Sequence, residues 1–517
     1  MTFGAAYGAF ERPNRRAIAI AIASGVVTLA LTAIYLLPVI DAIGQTQEHE
    51  FRKRVYATTP RRDRIERIAG GAATDLFPFL EGRTWRAPIL RNLPTERMAT
   101  GSIVLALALI AVFTVRSRES WFFAIAFVIC ALLGLRAPPV STALHALPLF
   151  DVALNERFVF AAAFCLVMLA ALALERGRYD GVAIGGVLIA LAIGTLVVAR
   201  FVNDDGPQWA SLRIFAELAP LAAVAFFPRR ISVIVGALLL QRTLAQGLFY
   251  PANPPGAAYP KIPLLQALNG VTEPFRFVGR GMTLVPNTAT MYGLEDVRGY
   301  QAMTFAPLVE TYPLWCERLG AWFNRVDDLS TPFLAMMNVR FALTKASDDI
   351  PPGWREVAVD RSGRLIENSA ALPRAFVPSH VRVGSRDEIA EMREATDFRE
   401  RSWIAADGST YERDNGPGTL ASIRPRKLGF RVDADMQRDG WMVVSQTDWN
   451  GWRVYVDGRR IRHQRANHAF VGVYLPAGRH TVRLTFMPQS FVIGRAISFA
   501  TIGILALVTL IRRRRSV

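Results

Sequence analysis

Long apolar runs recur along this chain, and no other feature restricts its folding so tightly. A helix needs about 20 consecutive apolar residues to cross a hydrocarbon core. Runs near that length span Ala17 to Ile40, Ala99 to Val115, Trp121 to Leu135, Phe158 to Leu174, Gly181 to Ala199, Leu212 to Phe227, Ile231 to Leu248 and Phe491 to Ile511. Of the 517 residues, 51% are hydrophobic, and the mean hydropathy is +0.23. That is more apolar surface than one soluble core buries. The sequence therefore predicts a multi-span α-helical membrane protein with about eight transmembrane helices.

The first run is long, and the "YLLPVIDAIG" that ends it lacks a small-x-small cleavage site, so it reads as a retained span rather than a signal peptide. Cys130 and Cys165 fall inside runs and Cys316 outside them, which gives no disulfide framework. A net charge of +17 would point to nucleic acid in a soluble protein. Here the arginines cluster where an integral protein needs them, and no nucleic-acid partner is expected. With the amino terminus in the cytoplasm, "ERPNRR", "RSRES", "ERGRYD", "PRR" and the terminal "RRRRSV" all fall on the cytoplasmic side. Both termini are then cytoplasmic. The loop 41–98 falls outside although it is basic; long loops weigh less in that rule, and "RRDRIERIAGG" within it reads as an amphipathic segment lying on anionic lipid.

Four regions follow: a transmembrane region 1–249 with about seven spans, an extracytoplasmic α+β domain 250–375, an extracytoplasmic β-rich domain 376–490, and a last helix with a basic tail, 491–517. Prolines in "YPANPPGAAYP" (Tyr250 to Pro260) stop the seventh span and lead the chain away from the bilayer. In the α+β domain, strand-like "FRFVGRGMTLV" alternates with helix-compatible "APLVETYPLWCERLGAWF". "RLIENSAALPRAFVP" reads as strand, turn and strand, and "SRDEIAEMREATDF" as a short helix starting near Ser385 or Asp387. After Gly429, short alternating runs separated by turn signals predict a β-sandwich or jelly-roll-like domain. In "DWNGWRVYVDGRR" (Asp448 to Arg460), Trp452, Val454 and Val456 share one face, Asp457-Gly458 supplies a two-residue hairpin turn, and "PAG" at Pro476 to Gly478 reads as a second hairpin.

These residues resemble a known family. "DWNGWRVYVDGRR" with "RANHAFVGVYLPAGRHTVRLTFMPQSFVIGRAIS" resembles the carboxyl-terminal part of the YfhO-like bacterial membrane proteins. "YGLEDVRGY", "FLAMMNVRFALT", "ENSAALPRAFV" and "LHALPLFDVALNERFVF" support that likeness, which runs from about Leu29 to the end. The family is similar to the GT-C class of integral membrane glycosyltransferases. The resemblance implies a polyprenyl-phosphate sugar donor, an envelope glycan or lipid as acceptor, acidic residues in a first external loop, and a divalent metal as a possible cofactor. The first span, ending "AIYLLPVI", resembles a helix from the middle of that family. An upstream extension or a partner chain is therefore expected to supply the acidic loop, and no catalytic aspartate is carried over.

Such chemistry needs a carboxylate at the outer interface. The loops offer Asp41, Asp75, Asp151, Glu156 and the adjacent pair Asp204 and Asp205 in "FVNDDGPQW", the last two being equally the makings of a solvated turn. Arg157 and Arg200 stand at the outer ends of spans, where an arginine binds a lipid phosphate or snorkels to headgroups. His463, His468 and His480 lack a metal-ligand spacing, so no metal site is expected there. "VGRGM" (Val278 to Met282) has glycines but no helix signal after it. Among Trp441, Trp449 and Trp452, Trp452 is in phase with a core face, whereas Trp449 in "TDWNG" reads as exposed and is the candidate sugar contact. The rival to an enzyme is a non-enzymatic, membrane-anchored glycan-binding or accessory protein. A transporter fits less well, because the spans hold few internal charges.

Overall fold

Each of the eight apolar runs forms a helix: α1 (Arg15–Ile43), α2 (Ser102–Thr114), α3 (Arg118–Gly134), α4 (Phe158–Arg176), α5 (Gly181–Val202), α6 (Pro207–Phe226), α7 (Ile231–Gln246) and α8 (Gln489–Arg515). The structure is a computed structural model that describes residues 15–58, 64–77, 98–147, 149–176, 179–202, 207–246, 254, 256–257, 259–299, 303–319, 323–384, 388–406, 408, 410–426 and 428–515. Among these residues, three helices are long and apolar enough to cross a membrane: α1, α4 with the turn before it, and α8. The 13 residues of α2 rise only about 20 Å, short of the ~30 Å hydrocarbon core. The chain divides into two compact units, one of residues 1–28 with 52–253 and one of 29–51 with 254–517.

In the first unit α2 is the central helix. Ile103, Ala106, Ala108 and Ala111 are almost fully buried, and α4 meets this helix with Ala162, Cys165 and Leu169. Small residues on both helices let the backbones approach closely, which is how helices associate where lipid removes the hydrophobic drive. Ser117 caps α3 by accepting from the Ser120 N–H at 3.2 Å. Arg176 at the end of α4 reaches back to Glu119 in the first turn of α3 at 2.5 Å, so the two run antiparallel. The helix Ile65–Leu76 contains the second half of the basic segment expected to be amphipathic; Arg61 to Asp63 lie outside the described residues.

In the second unit the lower half of α1 pairs with α8. The Ser498 hydroxyl lies 3.1 Å from the Ala30 carbonyl and 3.0 Å from that of Leu31. Beside it Gly494 faces the Ala33 backbone so closely that a Cβ there would lie 2.3 Å from the Ala33 oxygen. The outer faces of both helices stay apolar and exposed, as at Val26 and Leu507.

Beyond residue 254 the strands are β1 (Arg276–Gly279), β2 (Glu317–Leu319), β3 (Phe323–Arg325), β4 (Val339–Thr344), β5 (Trp354–Asp360) and β6 (Gly363–Asn368). They form a sheet of order β1-β4-β6-β5, with β1 parallel to β4, and a separate β2–β3 hairpin. The stretch expected to be helix-compatible is thus a five-residue helix, Ala306–Glu310, followed by that hairpin. Pro313 interrupts the helical pattern and forces the chain to turn.

Twelve more strands follow: β7 (Ala375–Phe376), β8 (His380–Val383), β9 (Arg401–Ile404), β10 (Tyr411–Asp414), β11 (Gly418–Arg426), β12 (Gly429–Met436), β13 (Gly440–Thr447), β14 (Trp452–Val456), β15 (Arg459–Ile461), β16 (Gln464–Ala466), β17 (Phe470–Leu475) and β18 (Gly478–Phe486). They make a seven-stranded sheet, β10-β8-β9-β16-β17-β13-β7, and a five-stranded sheet, β11-β12-β18-β14-β15. The two stack as a sandwich over one core, where Met442, Val444, Val471 and Val473 meet Val432, Trp452, Val454 and Val482. The other face of the seven-stranded sheet buries Trp403, Ile404 and Phe470 against Phe333 and Met336, joining the earlier residues to the sandwich through a second core.

Asp457 (φ 49°) and Gly458 (φ 84°) close the β14–β15 hairpin with both residues at positive φ, as that turn requires. Pro476 to Gly478 does not close a hairpin. It is a crossover, because β17 belongs to one sheet and β18 to the other. Val473 and Leu475 on one side and Val482 and Leu484 on the other bury into the same core, which only opposed sheets allow. The short helix Glu388–Met392 is present, with Ser385 and Asp387 outside the described residues.

Candidate functional site

The residues singled out in the sequence do not converge. Asp204 and Asp205 lie outside the described residues, and Arg200 lies in the last turns of α5 with its side chain outside them. Arg157 is exposed at the end of the 3₁₀ turn Asn155–Arg157 that leads into α4. Glu156 beside it pairs with Arg136 at 3.3 Å. Asp41 accepts from the Ser490 hydroxyl at 2.8 Å, which ties the end of α1 to the start of α8. Asp75 is buried in its helix and Asp151 half-buried in the turn before Asn155. The loop from Val278 to Met282 leaves β1 and is followed by no helix at Met282.

Trp449 is half-buried rather than exposed. Its ring sits 4.9 Å from that of Phe305, and it packs against the sandwich core. Trp452 is buried as expected, its indole N–H donating to the Thr447 carbonyl at 3.0 Å. Trp441 is half-buried edge-on to Tyr474. Each late histidine has an acidic partner: His463 lies 2.8 Å from Asp448, His468 2.6 Å from Glu310, and His480 2.7 Å from Asp457. His468 also lies 3.5 Å from Glu388. Among the described residues no group of three or more His, Cys, Asp or Glu side chains is placed to hold a metal ion.

A polar cluster that the loop-centred reading of the sequence missed lies inside the helices of the first unit. Gly101 precedes α2 and offers no side-chain cap, so the first helical N–H, that of Ser102, donates to the Glu217 carboxylate of α6 at 2.8 Å. An anion at a helix start meets the positive end of the helix dipole. The Ser102 hydroxyl donates to the Glu217 carbonyl at 2.8 Å, and the Gln241 amide of α7 donates to both that hydroxyl and that carbonyl at 2.7 Å. Pro220 in α6 has no N–H for the Ala216 carbonyl, a break of the kind that neighbouring helices re-satisfy in apolar surroundings.

Arg242 follows Gln241 on α7. One guanidinium nitrogen stands 3.8 Å from Glu217 and another donates to the Ala99 carbonyl at 3.4 Å. Glu217, Ser102 and Gln241 are buried, whereas the Arg242 side chain keeps 31% of its surface exposed. Three buried polar atoms around this point have no hydrogen-bond partner: Gln241 Oε1, Arg242 Nε and Thr100 Oγ1. Two of these side chains crowd Gly101 (φ 93°), where a Cβ would stand 2.3 Å from Gln241 Oε1 and 2.5 Å from the Arg242 Nη2. One carboxylate beside a guanidinium does not fit a divalent cation, and no step is drawn through a metal. The set does fit a ligand that brings acceptor oxygens for Arg242 and Thr100 and a hydroxyl donor for Gln241. The signal in the sequence was a glutamate and an arginine within long, mainly apolar runs.

Apolar helices long enough to cross a bilayer, shorter apolar helices packed beside them and a late β-sandwich fit a membrane protein with a β-rich carboxyl-terminal region. Residues 414–498, from the end of β10 into α8, match the model of the family described as bacterial membrane protein YfhO, the family that these strands resemble. That match and the apolar helices support a bacterial membrane location. No curated protein and no solved structure matches the chain.

Proposed function

We propose that the chain acts in the transfer of sugar from a polyprenyl-phosphate donor to an envelope glycan or lipid, with the Glu217–Arg242 cluster as its contact with the lipid phosphate. The observation that carries this reading is a guanidinium held at 3.8 Å from a buried carboxylate among apolar helices, with its Nε unpartnered. A carboxylate buried among apolar helices, as Glu217 is, is costly, and function is the usual reason for keeping it. Arg242 binds the phosphate, Glu217 orients Arg242, and Gln241 with Thr100 meets the hydroxyl-bearing part of the ligand. With the amino terminus inside and eight spans, the start of α2 and the end of α7, which carry Ser102 and Arg242, lie toward the external side, the side on which lipid-linked sugars are consumed in such reactions, and Glu217 stands about halfway along α6. Arg157, at the start of α4, lies toward the same side in that topology.

The test is binding of undecaprenyl phosphate to the full chain in nanodiscs, read by native mass spectrometry, beside transfer of label from a panel of undecaprenyl-phosphate sugars. Losing one charge-assisted hydrogen bond costs about 1.5–3 kcal/mol, so R242Q weakens binding about tenfold or more. Equal binding by wild type and R242Q sinks the site. Lipid binding without sugar transfer favours the accessory reading.

A further inference from the structure

The five-stranded sheet turns one face to its core and the other to solvent, and the solvent face is sorted by charge along the strands. One row crosses all five strands in register: Arg424 pairs with Arg431, Arg431 with Arg483, Arg483 with Tyr455 and Tyr455 with Arg460. The next row toward the end of β18 brings Arg453 opposite Thr485. In the opposite direction the rows carry Asp433 opposite Thr481 and Asp435 opposite Arg479, with Asp457 on the other side of Thr481, accepting from its N–H. Arginines thus occupy the end of the sheet near α8, and aspartates occupy the far end.

The far-end acids are already engaged: Asp433 by Arg431 at 3.2 Å, Asp435 by Arg479 at 3.1 Å and Asp457 by His480 at 2.7 Å. Among the described residues, Arg424, Arg453, Arg460 and Arg483 have no acidic partner within ion-pair distance, and Arg483 instead lies over the Tyr455 ring at 4.6 Å. Like charges directly opposite on neighbouring strands destabilise a sheet. Asp433 offsets part of the Arg431 charge, but Arg424 and Arg483 on either side of it have no acidic partner among the described residues, so the row carries a cost that an anion lying across it relieves.

The chain fixes where that anion is. β18 ends at Phe486 and α8 begins at Gln489, so Arg483 stands within about 20 Å of the helix start along an extended chain and Thr485 within about 13 Å. The same end of the sheet is pinned to the other helix of the pair: the Asn450 N–H, two residues before β14, donates to Gln45 Oε1 at 2.6 Å, just past the end of α1. Both helices are long and apolar enough to span. We propose that the arginine-bearing end of this sheet face docks on the anionic phospholipid headgroups of the bilayer that holds α1 and α8. The docking orients the sandwich against the membrane and neutralises the arginine row. It does not depend on the glycosyl-transfer reading.

The test is hydrogen–deuterium exchange of the full chain in nanodiscs of phosphatidylcholine alone and of phosphatidylcholine mixed with phosphatidylglycerol. Amides of β14 and of the 479–486 stretch exchange several-fold more slowly in the anionic discs, and added salt removes the difference because exposed charges are screened. The R453Q/R460Q/R483Q variant loses the lipid dependence. In neutral discs it melts close to wild type, since it removes one like-charge pair and the Arg483–Tyr455 ring contact but no core contact. Exchange that is the same in both lipids overturns the proposal, as does slowing produced by soluble polyphosphate in neutral discs but not by phosphatidylglycerol.

Discussion

His468 shows how much a single residue's role depends on contacts that are distant in sequence. It sits at φ 69° in the turn between β16 and β17, beside Asn467 at φ 42°. Its ring lies between Glu388 and Glu310, residues far away along the chain. The Glu388 hydrogen bond raises its pKa above the ordinary value; burial opposes this and Glu310 adds to it. A raised folded pKa means that the protonated ring stabilises the fold fully below the unfolded value, about 6.5, and that this contribution fades as pH rises through the folded value. H468Q should therefore flatten the fall in melting temperature between about pH 6 and pH 8 that wild type shows. Parallel melting curves against pH for the two proteins would remove the clamp from the account. The sequence showed three late histidines without ligand spacing, and their carboxylate partners emerge only once the turns are folded.

At the scale of elements, alternation made β14 legible. Trp452 and Val454 point inward as their period-2 phase requires, and Asp457-Gly458 turns the chain. Trp449, three residues earlier, was not legible, because what covers it is Phe305, supplied by a segment far away in sequence. β11 was hidden for a local reason: Pro425 argues against a strand, yet β11 is an edge of its sheet, where a missing N–H costs no ladder bond. The Pro476–Gly478 turn misled because its residue types suit a hairpin and a crossover equally; sheet membership decides, and that is long-range. W452A should cost about 3–5 kcal/mol, the range for a large aromatic removed from a packed core. It should lower the melting temperature of the second unit by several degrees and leave undecaprenyl phosphate binding, a property assigned to the first unit, unchanged. W449A removes a half-buried ring and should cost less. A larger loss for W449A than for W452A would reverse this assignment of core and rim.

At the scale of the whole molecule, each of the eight apolar runs falls on a helix among the described residues, because an apolar stretch of that length has few alternatives to a helix. Three of them meet the length for crossing a bilayer among the described residues, and helix ends are set by caps and neighbours: α2 starts only where Glu217 receives its first N–H. Nor does hydropathy tell which helices pair. The contact between α1 and α8 joins residues more than 460 positions apart, as in the Ser498 bond to Ala30. Its only local trace is a glycine and a serine one turn apart on α8. Gly494 tests the pairing. A Cβ there meets the Ala33 backbone at 2.3 Å, and backbone cannot move aside as a flexible side chain can. G494L should cost about 1–3 kcal/mol, the usual range for overpacking. Gly503 lies farther along the same helix with nothing within 4 Å of its Cβ position. G503L keeps the same change in helix propensity and hydropathy, so it should melt at or above wild type. Comparing the two variants in nanodiscs separates close packing from a general effect of leucine on α8. Equal melting temperatures would mean that α1 and α8 do not meet at Ala33 and Gly494.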